Sequence, residues 1–291
     1  MTDWLVTIRD IANIEMFREL GIDTLIVADE RFSSSPCGLS RDQLAMAVAK
    51  IRKAGLKAAI RIDRLFYEDE LADLESYLRM LDQLPADLII CTDIGVKQIA
   101  DRIKAGYQII YAPETLLTNG YEIESLKRDG MSGCVISKDI TIREVYDILR
   151  QVPDYCYLKV HGPVLLSYSG RGYISSYLER KGNYLEGWHL VEETRSDVLP
   201  IVEKNGESWL YWQTLQSFSE ISYLLKAPLK GLIIDNNLYK DEYTLKTVSL
   251  YRRVMAGEIS GSEALEQLKG FDRSIKYLDI NDLKATWLQK G

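Results

Sequence analysis

The chain has 291 residues, 46% of them hydrophobic and 27% charged, so it carries ample apolar material for a packed core. Its 43 acidic and 36 basic side chains leave a net charge of −7, which gives no overall nucleic-acid footprint, and no apolar run approaches the roughly 20 residues of a membrane span. The start, MTDWLVTIRD, lacks a basic-then-apolar leader, and Cys37, Cys91, Cys134 and Cys156 form no Cys-x-x-Cys pair, which together suit free thiols in a reducing cytoplasm.

In chain order, short apolar runs alternate with helical stretches. LVTI (5–8) precedes IANIEMFRELG, and TLIVAD (24–29) precedes a Ser-rich loop and SRDQLAMAVAKIRKAG, in which Ser40 is the expected N-cap and Gly55 closes the helix. KAAIRID (57–63) leads to EDELADLESYLRMLDQL, stopped by Pro85, and DLIICTD (87–93) leads to GVKQIADRIKAG. YQIIYAP (107–113) leads to GYEIESLKRDG, and GCVISK (133–138) leads to TIREVYDILRQV. YCYLKVHG (155–162) is the seventh strand, TLQSFSEISYLLKA (214–227) its helix, and GLIIDNN (231–237) with DEYTLKTVSLYRRVMAG the eighth pair.

Eight strand–helix units with continuous apolar strands predict a parallel (β/α)8 barrel of the TIM type. The organisation expected is a single barrel over residues 1–257, then a C-terminal helix and tail over 258–291. One connection breaks the rhythm. About fifty residues (163–213) separate the seventh strand from its helix, where a few suffice elsewhere. The stretch GWHLVEETRSDVLPIVEKNGESWLYW reads as two or three antiparallel strands, with Asn205-Gly206 as a hairpin turn. The insertion is therefore β-rich, and it rises from the end of the barrel where function sits.

Candidate site residues follow from that placement. His161 ends strand seven before Gly162-Pro163, either as a polar group facing the barrel mouth or as a structural histidine bound to loop backbone. Ser169 and Arg171 sit between glycines, either as an anion cradle or as an N-cap serine and an arginine that staples the insertion down. Arg61 and Asp63, two apart on strand three, point to one side of it. Facing inward with Asp93, Glu114, Lys138 and Asp235, they either line a pocket or fill the mouth as an ion-pair network. Cys91, Cys134 and Cys156 fall on strands, where core packing is the default, and Cys37 falls in a loop. Tyr168, Tyr173, Tyr177, Tyr184, Trp188, Trp209, Tyr211 and Trp212 crowd the insertion beside Arg171, Arg180 and Lys181. Three roles are open to them: a small core, a protein interface, or a platform for RNA bases.

The chain resembles the peptidase U32 family, the collagenase-like peptidases, in LGIDTLIVADERF, LSRDQLAMAVAKIRKAGLKAAIRID, EDELADLESYLRMLDQLPADLIICTDIGV and, above all, KVHGPVLLSYSGRGYISSYL. The resemblance implies a barrel and, through better-understood members, a place in tRNA wobble-uridine or ubiquinone hydroxylation, with four cysteines holding an iron–sulfur cluster. This chain departs from the pattern: Leu165 or Leu166 and Gly172 stand where the family has cysteine, and residues 157–291 contain none. Asp235-Asn236-Asn237 likewise stands where the family has an acidic residue followed by Gly-Arg. No cofactor is therefore expected. The pattern is similar to the short cysteine-poor paralogue, which implies a cytoplasmic, non-cluster subunit that supports 5-hydroxyuridine formation beside a cysteine-bearing U32 partner, with tRNA as a further partner and no membrane. Two alternatives stand: a hydrolase, for which neither Gly-x-Ser-x-Gly nor His-Glu-x-x-His is present, and a stand-alone binder of a small carboxylated ligand.

Overall fold

The computed structural model describes residues 2–33, 38–114, 116–178, 184–191 and 198–280, the side chains of 184–186 excepted. Seven strands run parallel in sequence order: β1 (Asp3–Thr7), β2 (Thr24–Ala28), β3 (Lys57–Ile62), β4 (Leu88–Cys91), β5 (Gln108–Tyr111), β6 (Gly133–Val135) and β7 (Cys156–Ser169). Between them lie α1 (Ile14–Glu19), α2 (Arg41–Lys53), α3 (Leu71–Leu81), α4 (Ile94–Ile103), α5 (Gly120–Arg128) and α6 (Ile142–Gln151). Local chemistry marks the helix starts. Ser40 caps α2 through a capping box with Gln43, and Thr141 caps α6 in the same way with Glu144.

The insertion contributes a short helix α7 (Tyr173–Tyr177) and the antiparallel strands β8 (Tyr184–Val191), β9 (Val198–Lys204) and β10 (Glu207–Gln216). Asn205 and Gly206 both take positive φ, 53° and 81°, the left-handed pair that a two-residue hairpin between β9 and β10 requires. After α8 (Ile221–Leu224), β11 (Gly231–Ile234) closes the ring, pairing in parallel with β1 on one side and β7 on the other. The eight-stranded (β/α)8 barrel is completed by α9 (Asp241–Met255), against which α10 (Gly261–Phe271) packs. A last strand, β12 (Tyr277–Asp279), pairs with β10, so the segment after the barrel is tied to the insertion sheet.

Strand alternation divides the apolar side chains into two cores. Leu5, Ile26, Ala59, Ile90, Ile110, Tyr157 and Ile233 fill the barrel interior, while Trp4, Val6, Ala58, Ile60, Ile89 and Leu232 face the helices. Burying a Leu- or Ile-sized side chain is worth roughly 1.5–3 kcal/mol, so both layers hold the ring shut. No helix among the described residues is long and apolar enough to cross a membrane.

Two expectations are corrected by the insertion. Strand seven does not end near residue 162. It is 14 residues long, Cys156–Ser169, and runs on out of the barrel, where its outer half pairs with β10. The helix expected over 214–227 is therefore only Ile221–Leu224, because Thr214–Gln216 finish β10 between β7 and β12, where both backbone edges find partners.

Candidate functional site

The extended half of β7 and the strand β10 lean over the C-terminal ends of the barrel strands and roof a cavity of about 410 Å3. Its floor is the top layer of barrel side chains: Arg61 and Asp63 from the end of β3, Glu114 beyond β5, Lys159 from β7 and Asp235 just beyond β11. Leu165 and Tyr168 from β7 and Trp209 and Tyr211 from β10 form the roof. Trp209 and Tyr211 are two apart on one strand and so present the same face to the cavity.

Arg61 is the centre of the floor and is almost wholly buried. One terminal nitrogen, Nη1, donates to Asp235 Oδ1 at 2.8 Å and to Asn237 Oδ1 at 2.5 Å, while Nη2 donates to Thr7 Oγ1 at 3.2 Å. Thr7 Oγ1 in turn donates to Asp235 Oδ1 at 2.8 Å. Asp63 lies 3.9 Å from Arg61 Nε and accepts a 2.8 Å hydrogen bond from Ser33. Burial works against the charge on Arg61, yet Asp235 and Asp63 outweigh it and hold the guanidinium pKa above its ordinary value. Burial also works against the Asp235 carboxylate, and Arg61 with Lys159 overcomes that and holds it below the usual carboxylate range. Lys159 donates to Pro163 O at 2.9 Å and sits 3.6 Å from Asp235 Oδ2. The two cations of the floor are thus already engaged.

Glu114 differs from them. Its φ is +66°, a left-handed conformation that costs a residue with a side chain about 1–2 kcal/mol, and Lys138 holds it there by a 2.9 Å bond from Nζ to the Glu114 carbonyl oxygen. Its carboxylate lines the cavity and makes no hydrogen bond or ion pair with a described residue. Tyr211 is 3% exposed, and its hydroxyl likewise has no hydrogen-bond partner among the described residues. Burial, then the charges of Asp63, Asp235 and Glu114, raise its pKa well above the phenol value, so it is a neutral donor.

The other expected residues fall elsewhere. His161 does not line the cavity. Strict alternation from Tyr157 and Lys159 puts it inward, but a bulge beside β11 pairs Ile233 with Lys159 and Ile234 with His161, and the extra residue turns the imidazole outward. It is fully buried there among Phe218, Tyr243, Tyr251 and Tyr277. The Tyr251 hydroxyl donates to Val160 O at 2.9 Å, which leaves His161 Nδ1 as the donor across the 3.3 Å contact to Tyr251, while Nε2 lies 3.0 Å from the Tyr243 hydroxyl. Burial, with Lys159 adding to it, pushes the imidazole pKa down to about 3, so the ring is neutral.

Ser169 and Arg171 lie past the cavity on the rim of the roof. Ser169 Oγ accepts from Arg171 N at 3.1 Å, the local turn a serine before glycine favours, and Arg171 is exposed. Asp93 caps α4 by accepting from Gly95 N, and it also accepts from Phe66 N. Of the aromatic cluster, Trp209 and Tyr211 are buried on the inner face, Trp212 packs on the main core, and Tyr173, Tyr177 and Trp188 are exposed. Arg180, Lys181, Cys37 and the Tyr184 side chain lie outside the described residues. Cys91, Cys134 and Cys156 are buried in the layer between barrel and helices, with the Cys134 and Cys156 sulfurs 4.0 Å apart and the Cys91 thiol pushed up to about 12 by burial and by Asp93.

Sequence reasoning missed Thr7, Lys159, Asn237 and the clamp that holds the roof down. Arg64 binds Glu207 with two parallel hydrogen bonds, at 2.9 and 2.8 Å, and adds Glu70, while Tyr168 donates to Glu207 at 2.8 Å. Lys159 was open to detection, since it shares the inward parity of Tyr157. Arg64 and Glu207 are 143 residues apart, and no spacing rule joins them.

The model of Peptidase family U32 matches residues 9–288. The chain is 24% identical over 261 residues to tRNA hydroxylation protein P2 of Bacillus subtilis (strain 168), covering 86% of this chain and 84% of that protein. It is 18% identical over 246 residues to tRNA hydroxylation protein P1 of the same organism, covering 81% of this chain and 58% of that protein. Among solved structures, that of the U32 peptidase Mk0906 aligns with a TM-score of 0.47 at 14% identity, over 55% of this chain and 69% of that one.

Proposed function

Since this chain belongs to peptidase family U32, we propose that it is a non-cluster subunit that supports 5-hydroxyuridine formation at the tRNA wobble position, working beside a cysteine-bearing member of the same family. The observation that carries the reading is the similarity to tRNA hydroxylation protein P2 over 86% of this chain and 84% of that one. Similarity to tRNA hydroxylation protein P1 agrees with it. A four-thiolate cluster does not fit the residues of the roof, because no cysteine follows Cys156, and the three described thiols sit in the apolar layer outside the barrel. The reading therefore assigns any cluster chemistry to the partner.

A hydrolytic role finds less support. His161 is locked between tyrosines away from the cavity, and His189 lies on the exposed strand β8, so no described serine or cysteine has an imidazole positioned as its base. The outer side of the roof, by contrast, leaves Tyr173, Tyr177 and Trp188 exposed, the aromatic surface that protein interfaces enrich. In this reading the chain works in the cytoplasm, where its tRNA substrate is.

The test pairs a pull-down from native lysate with nucleoside analysis of tRNA after deletion of the gene. The expected result is copurification of a cysteine-bearing U32 protein and a clear fall in 5-hydroxyuridine derivatives. Unchanged levels of those nucleosides overturn the reading.

A further inference from the structure

The cavity beneath the roof has a definite electrostatic character that the proposed function does not use. Of its five charged side chains, the cations Arg61 and Lys159 are occupied by Asp235, Asn237, Thr7 and the Pro163 carbonyl. Asp235 is the counter-ion of both. What remains to meet a ligand is Glu114, held on a strained backbone and without a hydrogen bond or ion pair to a described residue, whereas Asp63 is engaged by Ser33 and Arg61. An incoming carboxylate meets cations already paired with Asp235 and faces repulsion from Glu114; an ammonium meets a carboxylate with no ion-pair partner among the described residues.

The walls add a second, independent indication. Tyr111, Tyr168, Trp209 and Tyr211 line the same space. The faces of Tyr and Trp rings attract cations, and most strongly where water is excluded. Tyr211, 3% exposed, brings to the cavity a hydroxyl with no partner among the described residues. The hydroxyl is not sealed from solvent, so it is a donor available to a ligand atom that enters the cavity.

We propose that the mouth cavity, with Glu114 as counter-ion and the Tyr211 and Trp209 rings as its roof, is a binding site for a small molecule that carries a protonated amine on an apolar or aromatic body. Arg61 is then a positioning residue, which fixes Asp235 and the floor and leaves Glu114 as the recognition group. The site is independent of the proposed role in tRNA hydroxylation.

The experiment titrates the full chain with three probes of similar size, benzylamine, benzyl alcohol and benzoate, by ligand-observed NMR and calorimetry at neutral pH. Benzylamine is expected to bind at least about tenfold more tightly than benzoate, with the alcohol between them. Glu114→Gln is expected to weaken benzylamine about tenfold and to narrow the gap to benzoate, while Glu114→Asp keeps the preference for the amine. Tyr211→Phe, which removes only the hydroxyl, is expected to weaken benzylamine several-fold with circular dichroism unchanged. Benzoate binding as tightly as benzylamine, equal benzylamine affinity in wild type and Glu114→Gln, or no benzylamine binding up to millimolar concentration each overturns the proposal. None of these results bears on tRNA nucleoside levels, so failure here and failure of the functional reading are separable.

Discussion

The two sides of strand β7 are built on opposite terms. On the inner side, Lys159 joins a floor of charges in which Arg61 and Asp235 satisfy each other, while the Glu114 carboxylate and the Tyr211 hydroxyl have no partner among the described residues. On the outer side, two residues along, His161 is enclosed by tyrosines that meet both ring nitrogens, and the whole group is sealed beneath Phe218 and α9. The outer pocket is a finished hydrogen-bond network; the inner one has unmet capacity. A buried polar residue is therefore weak evidence of function by itself, and the informative feature is which polar atoms lack partners. His161 is the more conspicuous residue in the sequence and the less available one in the fold.

The sharpest way to break the comparison is at the seam between the two sides. Gly162 has φ +134°, and a Cβ there would lie 2.0 Å from the backbone oxygen of Asp235, because β7 and β11 approach closely just after the bulge. Gly162→Ala is expected to cost more than about 4 kcal/mol or to leave no soluble protein. Gly206→Ala, with φ +81° and nothing within 4 Å, is expected to cost only about 1 kcal/mol. Equal urea midpoints for the two variants would show that the two sides are not held in register at this point.

The next effect lies on the inner side. Arg61→Met leaves Asp235 buried with only Lys159 as a counter-charge, and the expected loss is about 3–5 kcal/mol by urea denaturation. Adding Asp235→Asn is expected to recover a good part of it, because the penalty comes from the stranded carboxylate. Simple addition of the two single losses would mean that the floor is not one network.

The smallest effect lies on the outer side and depends on pH. His161 stays neutral in the folded chain down to about pH 3, whereas an unfolded histidine takes a proton near pH 6.5. Between those values only the unfolded chain gains a proton, so the stability contributed by His161 is complete above pH 6.5 and falls as pH drops. His161→Phe removes that proton linkage. The stability gap between wild type and variant is expected to shrink by about 1.4 kcal/mol per pH unit from pH 6.5 towards pH 4. A gap that stays constant across that range would place the imidazole in contact with solvent or with a hidden acid.

Much of the fold was legible before any coordinates. The run of apolar strands and capped helices carries the barrel, because backbone hydrogen bonding and side-chain burial act locally and leave a period in the chain. The roof was legible as a β-rich insertion through Asn205-Gly206. Its reach into Thr214–Gln216 was not, because that stretch is fixed as strand by β7 and β12 rather than by its own residues. Of the candidate residues, Arg61, Asp63, Glu114 and Asp235 meet in one cavity. His161 leaves it through a single extra residue at Val160, and a bulge of one residue carries no signature in composition.

The sequence by itself determined the barrel, the place of its insertion, and the absence of thiols beyond Cys156. Those follow from periodicity, length and residue identity, which are properties of the chain read in order. Only the tertiary structure decided which charges cancel, which way His161 faces, and that Glu114 and Tyr211 are left open. Those depend on distances between groups as far apart as Thr7 and Asp235, and such distances exist only once the ring has closed.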